Sequence, residues 1–140
     1  MPFFDWEPSY SVQVRQFDDH HKELIRLLNE AEENFRMKAG QEATRVVVDR
    51  LIDYAQYHFS AEEAWMKERH YDGLLRHTAE HDAIWRKLFD FQTDYHLGKS
   101  QLSFEVLDFL KEWLNGHILT TDAAYGGLAA HPEETERGQE

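Results

Sequence analysis

Seven residues able to ligate a metal run through the 140-residue chain in a recurring pattern: His21, then His58 and Glu62, then His77 and His81, then His117 and Asp122. Residues four apart on a helix share a face within about 6 Å, so His58/Glu62 and His77/His81 can each grip one place from two points. His21 lies on the apolar stripe of Leu24, Ile25 and Leu28, and His117 on that of Leu110 and Leu114, which turns both rings inward. A buried imidazole needs a partner. Any one of these histidines, taken alone, is more simply a hydrogen-bonded core residue. Five of them gathered with two carboxylates are hard to satisfy by mutual hydrogen bonding, whereas metal ions satisfy them all. The ligands are too many for one ion and carboxylates can bridge two, so the pattern predicts a buried dinuclear site. By ligand type it suits iron, zinc, copper or manganese.

One spacing resists this reading. Asp122 stands five positions after His117, which on a straight α-helix turns the carboxylate about 140° away from the imidazole. Thr121 would be the geometric choice. Either the helix ends between them or it carries a π-type bulge, a distortion common at functional sites. The remaining histidines, His20, His70, His96 and His131, are expected at the surface; His20 is read as lying off the stripe of Leu24 and Leu28. Glu63 is expected in solvent, and Asp18 as a helix cap.

The elements that must position these residues follow from spacing. After an aromatic amino-terminal arm (Phe3, Phe4, Trp6, Tyr10), Asp18-Asp19 can cap a helix carrying Leu24, Ile25, Leu28, Ala31 and Phe35, with Gly40 as its stop. A second helix is expected from about Gln41 to Arg69, broken by Asp72-Gly73. A third carries Leu74, His77, His81, Ile84, Leu88, Phe91 and Tyr95 until Gly98, a seam regular enough for coiled-coil-like packing. Ser100 can cap a fourth, with Phe104, Leu107, Leu110, Leu114, His117 and Ile118 inward and Gly126-Gly127 interrupting it. Short connections make neighbours antiparallel, so the expected fold is all-α, an up-down-up-down four-helix bundle. Residues 1–130 form that domain, and 131–140 a short polar, acidic carboxy-terminal extension.

Composition narrows the chemistry. The absence of cysteine removes iron–sulfur clusters, thiolate zinc sites and thiol catalysis together, leaving nitrogen and oxygen ligation. A formal charge of -12 disfavours nucleic acid and anionic membrane surfaces as partners. Met1-Pro2-Phe3-Phe4-Asp5-Trp6 has no basic region followed by an apolar run, and no apolar stretch approaches the ~20 residues that span a bilayer. No membrane insertion and a cytoplasmic location are therefore expected.

The segments Phe17-Asp18-Asp19-His20-His21-Lys22-Glu23-Leu24, His58-Phe59-Ser60-Ala61-Glu62-Glu63, His77-Thr78-Ala79-Glu80-His81 and His117-Ile118-Leu119-Thr120-Thr121-Asp122 stand in the order of the ligand motifs of hemerythrins. From Phe3 to Tyr125 the chain resembles that family, and within it the single-domain bacterial members; it departs at His20, where the family often has glutamine. The resemblance implies two non-heme iron ions. One would be held by His77, His81 and His117 and the other by His21 and His58, with Glu62, Asp122 and an oxo or hydroxo group bridging them. The second iron would keep an open position, where the family binds dioxygen reversibly. Leu114 and Ile118 match positions lining the family's oxygen pocket, and Phe59 and Trp113 extend the same apolar surround, which admits a small neutral gas and denies water and protons.

The expected function is accordingly that of a binding protein, an oxygen carrier, store or delivery protein favoured as a monomer, with an oxygen-consuming enzyme as a possible recipient. Three alternatives stand beside it. A di-iron oxidase or peroxidase of the ferritin-like kind would need Glu-x-x-His on two helices, and this chain has none. An oxygen or redox sensor would act through a separate partner. A zinc site shares the ligand types but would need a base and a substrate cleft.

Overall fold

A computed structural model of the chain describes residues 2–129; Ala130, His131 and the acidic 131–140 segment lie outside the described residues. A 3-10 turn at Pro8–Tyr10 precedes α1 (Arg15–Arg36), α2 (Gln41–Glu68), α3 (Leu74–His96) and α4 (Phe104–Gly116). A π-helical segment, His117–Asp122, then leads without a break into α5 (Ala123–Ala129). Among the described residues there is no strand, and no helix long and apolar enough to cross a membrane. The architecture is an all-α four-helix bundle in which α1 packs on α2 and α4, and α2 on α3.

The helix ends show how the turns are made. Lys38 (φ 53), His70 (φ 55) and Gly98 (φ 76) take left-handed backbone just beyond α1, α2 and α3. Each is followed by a residue whose N–H returns to the helix it leaves: Ala39 to the Asn34 carbonyl at 2.9 Å, Tyr71 to Met66 at 3.0 Å and Lys99 to Asp94 at 2.8 Å. This is the Schellman closure, which satisfies carbonyls a helix end would otherwise orphan. Only the third uses the glycine that sequence reading assigned. The first helix ends before Gly40, and in the second His70 turns the chain ahead of Asp72-Gly73.

Two starts also differ from expectation. α1 begins at Arg15, ahead of Asp18. Asp18 then reaches back to accept hydrogen bonds from the Val12 N–H (2.8 Å) and the Ser11 hydroxyl (2.6 Å), so its capping is of the incoming arm. At α4 the cap is Ser103, which accepts from the Val106 N–H at 3.2 Å, and not Ser100. That start leaves Phe104 exposed, where a core position was expected; its ring meets Phe3 edge-on at 6.4 Å instead.

The aromatic arm is fastened to α1. Phe4 is buried, and its N–H and carbonyl pair with the Asn29 side-chain amide at 2.8 Å each. Gly126-Gly127 does not interrupt the last helix. A β-carbon at Gly126 would lie 2.8 Å from the Val12 carbonyl oxygen, so this glycine is needed for the arm's close approach to α5.

The bundle interior is divided lengthwise. One end is filled by apolar side chains such as Leu28, Val48, Ile52 and Leu107. The other holds a cluster of buried imidazoles and carboxylates. The boundary runs through Leu24, Phe59 and Leu114.

Candidate metal centre

α1 contributes His21, α2 His58 and Glu62, α3 His77 and His81, and the π-helical segment both His117 and Asp122. All seven are buried, Glu62 and Asp122 completely. The awkward spacing is resolved by the bulge: the Ala123 N–H bonds back five residues to the Ile118 carbonyl, and this widened turn brings Asp122 back to the face of His117. Thr121, which a straight helix would have pointed inward, faces α3 and donates its hydroxyl to Glu80 at 2.7 Å.

The seven side chains converge as two overlapping groups. One ligand atom from each of Glu62, His77, His81, His117 and Asp122 falls within 4.8 Å of the others, and so does one from each of His21, His58, Glu62 and Asp122. The two carboxylates belong to both groups. The oxygens of Asp122 divide between them: Oδ1 lies 2.8 Å from His77 Nε2 and 2.9 Å from His117 Nε2, while Oδ2 lies 2.9 Å from His21 Nε2. Glu62 Oε1 faces His58, His77 and His81 at 3.3, 3.6 and 3.2 Å. Every inward nitrogen is Nε2, as common ligation from one side requires.

Hydrogen bonding does not use up this cluster. Both ring nitrogens of His21 and of His77, Nε2 of His58, Oε1 of Glu62 and both oxygens of Asp122 are buried without a partner of acceptable hydrogen-bond geometry. So many orphaned donors and acceptors in one place would be costly in a metal-free fold. Their nitrogen and oxygen chemistry fits a pair of divalent cations of the transition series. The electrostatics point the same way. Burial lowers the proton affinity of His21 and His77, but the close, charged oxygens of Asp122 and Glu62 more than offset it and carry both up to about 9. Asp122 and Glu62, despite burial, are held well below the ordinary carboxylate range by the surrounding imidazoles. The two buried carboxylates thus favour cations at this place, whether protons or metals.

Three of the five outward-facing nitrogens have their own partners. His81 Nδ1 meets Glu63 at 2.8 Å and His117 Nδ1 meets Glu80 at 3.1 Å. His58 Nδ1 lies 2.8 Å from Nδ1 of His20. Two expectations are thereby corrected. Glu63 is only half-exposed and engaged with α3, and His20 is buried, at 6 % exposure. His20 stands four residues before Leu24 and seven before Leu27, both buried, so it shares their face; burial with the facing histidines pushes its pKa down to about 4 and keeps it neutral. His70 and His96 are exposed.

Aromatic rings cover the three-histidine group: Phe59 stacks on His81 (4.1 Å), Trp113 on His117 (4.5 Å) and Tyr125 on His77 (5.7 Å). Tyr125 is wholly buried and donates its hydroxyl to Glu62 Oε2 at 2.5 Å. Sequence reading did not single it out, although its place three residues after Asp122 put it on the same helix face. Of the four expected pocket residues, Phe59, Trp113 and Leu114 line an apolar cavity of about 40 Å³ beside the cluster, with Leu24, Ile84 and Leu88 opposite. Ile118 is fully buried but does not line that cavity. The space exceeds the roughly 10–15 Å³ a water needs, yet its walls offer almost no polar partner, so it suits a small apolar solute.

A family model described as hemerythrin HHE cation binding domain matches residues 12–129. A bacteriohemerythrin of Methylococcus capsulatus is 29 % identical over 127 residues, spanning 90 % of this chain and 96 % of the relative. One of Clostridium acetobutylicum is 28 % identical over 128 residues, spanning 87 % and 98 %. A crystal structure of wild-type hemerythrin superposes with a TM-score of 0.86 at 28 % identity, covering 89 % of this chain and 96 % of the other.

Proposed function

This chain belongs to the hemerythrin HHE family, and from that premise we propose that it binds dioxygen reversibly at a non-heme di-iron centre, as an oxygen carrier, store or delivery protein and not as an enzyme. His77, His81 and His117 would hold one iron and His21 and His58 the other, with Glu62 and Asp122, which belong to both groups, available to both ions. The observation that carries the reading is the sharing of both carboxylates between a three-histidine and a two-histidine group, within one buried cluster many of whose polar atoms are otherwise orphaned. A pair of ferrous ions held there would supply the electrons that reversible dioxygen binding needs.

The protein's own part is to bind, orient and exclude. Glu63 and Glu80, paired with the outer nitrogens of His81 and His117, fix those rings with Nε2 inward and strengthen them as donors. Tyr125 holds the Glu62 carboxylate in place from its second oxygen. Leu24, Phe59, Trp113 and Leu114 wall the site with apolar surface, which denies it the water and protons that would turn borrowed electrons into an irreversible oxidation. The His21/His58 side offers one histidine fewer, so an ion held there would have room for a further ligand.

Stoichiometry tests the proposal. Loaded anaerobically with ferrous iron, the protein should take up two irons per chain, then absorb one dioxygen per iron pair and give it back under vacuum. Uptake that yields free peroxide or water, with no recoverable oxygen, would instead mark an oxidase.

A further inference from the structure

The outer partners of the ligand histidines are unlike on the two sides of the cluster. On the three-histidine side the two rings that have one are backed by carboxylates, Glu63 behind His81 and Glu80 behind His117, while the outer nitrogens of His77 and of His21 have none. On the two-histidine side, the outer nitrogen of His58 meets only another imidazole, that of His20. His20 is no incidental neighbour. Its ring is held edge-on or tilted by Phe17 (5.6 Å), Tyr54 (5.8 Å) and Tyr57 (5.2 Å), which fix the plane so that Nδ1 points at His58.

Resting on the dinuclear reading above, we propose that His20 is a positioning residue for metal at the two-histidine position: it accepts the Nδ1–H of His58 and locks that ring with Nε2 free for the ion, but holds it less firmly than the carboxylates behind His81 and His117 hold theirs, so that this position is the more readily emptied of the two. The proton placement follows from the contact. Two Nδ1 atoms 2.8 Å apart need one proton between them. If Nε2 of His58 is to ligate, the proton of His58 sits on Nδ1 and is donated, so His20 presents a bare Nδ1 and carries its own proton on Nε2. A neutral imidazole is a weaker acceptor than a carboxylate, so it raises the basicity of His58 less than Glu63 and Glu80 raise that of His81 and His117. With one histidine fewer as well, the His21/His58 position holds its ion more weakly.

Zinc serves as the probe, because it is redox-silent and accepts the same donors. The zinc-loaded wild-type protein challenged with a chelator should lose its two ions in two phases of equal amplitude. His20→Leu, which keeps bulk but removes the acceptor, should speed the fast phase by roughly 10–100-fold and leave the slow phase within a few-fold. His20→Gln, whose amide oxygen can accept the same proton, should restore the wild-type rate, a rescue that a mere packing role would not give. In the nitrogen-15-labelled zinc protein, the Nδ1–H of His58 should be visible and slow to exchange in the wild type and in His20→Gln, and lost to exchange in His20→Leu. An unchanged fast phase in His20→Leu, or a His20→Gln rate as high as that of His20→Leu, overturns the proposal. If His20→Leu fails to fold, a wild-type His58 bearing no proton on Nδ1 overturns it alone. Uptake of fewer than two zinc ions by the wild type would instead overturn the dinuclear reading beneath it.

Discussion

Tyr125 and Glu62 meet in the core with the hydroxyl 2.5 Å from Oε2, joining α5 to α2 through a group that no water reaches. Burial and the neighbouring Glu62 and Asp122 carboxylates push the phenol pKa far up, so it stays a donor throughout the accessible pH range. Tyr125→Phe leaves a fully buried carboxylate oxygen without its partner. The variant should lose about 1–3 kcal/mol in chemical denaturation while still taking up two metal ions per chain, because the inner ligand set is untouched. Unchanged stability would show that Glu62 needs no such restraint.

The π-helical turn makes a sharp prediction about register. Exchanging the carboxylate one place along, by Thr121→Asp with Asp122→Thr, keeps composition and adopts the spacing a straight helix would favour. In this fold position 121 faces Glu80, so the new carboxylate meets a like charge outside the cluster and the interior loses one of its two shared carboxylates. Metal analysis should find no more than one ion per chain, and two would mean the helix can straighten.

Leu114 walls the cavity beside the cluster and is 7 % exposed. Leu114→Ala should cost about 2–5 kcal/mol of stability through the enlarged cavity. It should also let water approach the iron pair, so that the oxygenated protein, followed by its visible spectrum, oxidises irreversibly faster than wild type. A normal oxidation rate with the stability loss would reduce Leu114 to packing alone.

A pH prediction comes from the far end of the bundle, where Asp49 on α2 accepts from Gln92 (2.9 Å) and pairs with His96 (2.7 Å) on α3. Burial works to raise the Asp49 pKa, but these two partners outweigh it and hold the carboxyl below its usual value. A carboxyl depressed in the folded state stabilises the fold above its unfolded pKa near 3.9 and stops doing so as pH falls through the lower folded value. Asp49→Asn should therefore be less stable than wild type at pH 6, with the gap closing below about pH 4. A gap constant across that range would show that the charge is not what matters.

The bundle and the seven-residue cluster were legible because both rest on periodicity: spacings of three and four define a helix face, and residues on that face have to meet. His58/Glu62 and His77/His81 are instances. The five-residue step from His117 showed that something non-α had to intervene, though not whether it would be a bulge or a helix end; the answer depends on α5 continuing beneath the arm, where Gly126 lets Val12 approach. His20 was misread because α1 buries a wider arc than one stripe: Phe17, His20, His21, Leu24, Leu27 and Leu28 are all inside. Glu63 and Glu80 were illegible for another reason. Their roles lie in contacts between helices, with sequence separations of 18 and 37, and no local pattern distinguishes them from the solvated acids that make up much of the -12 charge.

The central claim is reversibility at an iron pair, and one optical cycle tests it. Protein loaded with ferrous iron under inert gas should be colourless, develop a visible charge-transfer band when oxygen is admitted, and return fully to the colourless spectrum when oxygen is withdrawn, over repeated cycles. A band that never forms with two irons bound, or one that persists after oxygen is removed, would contradict the account.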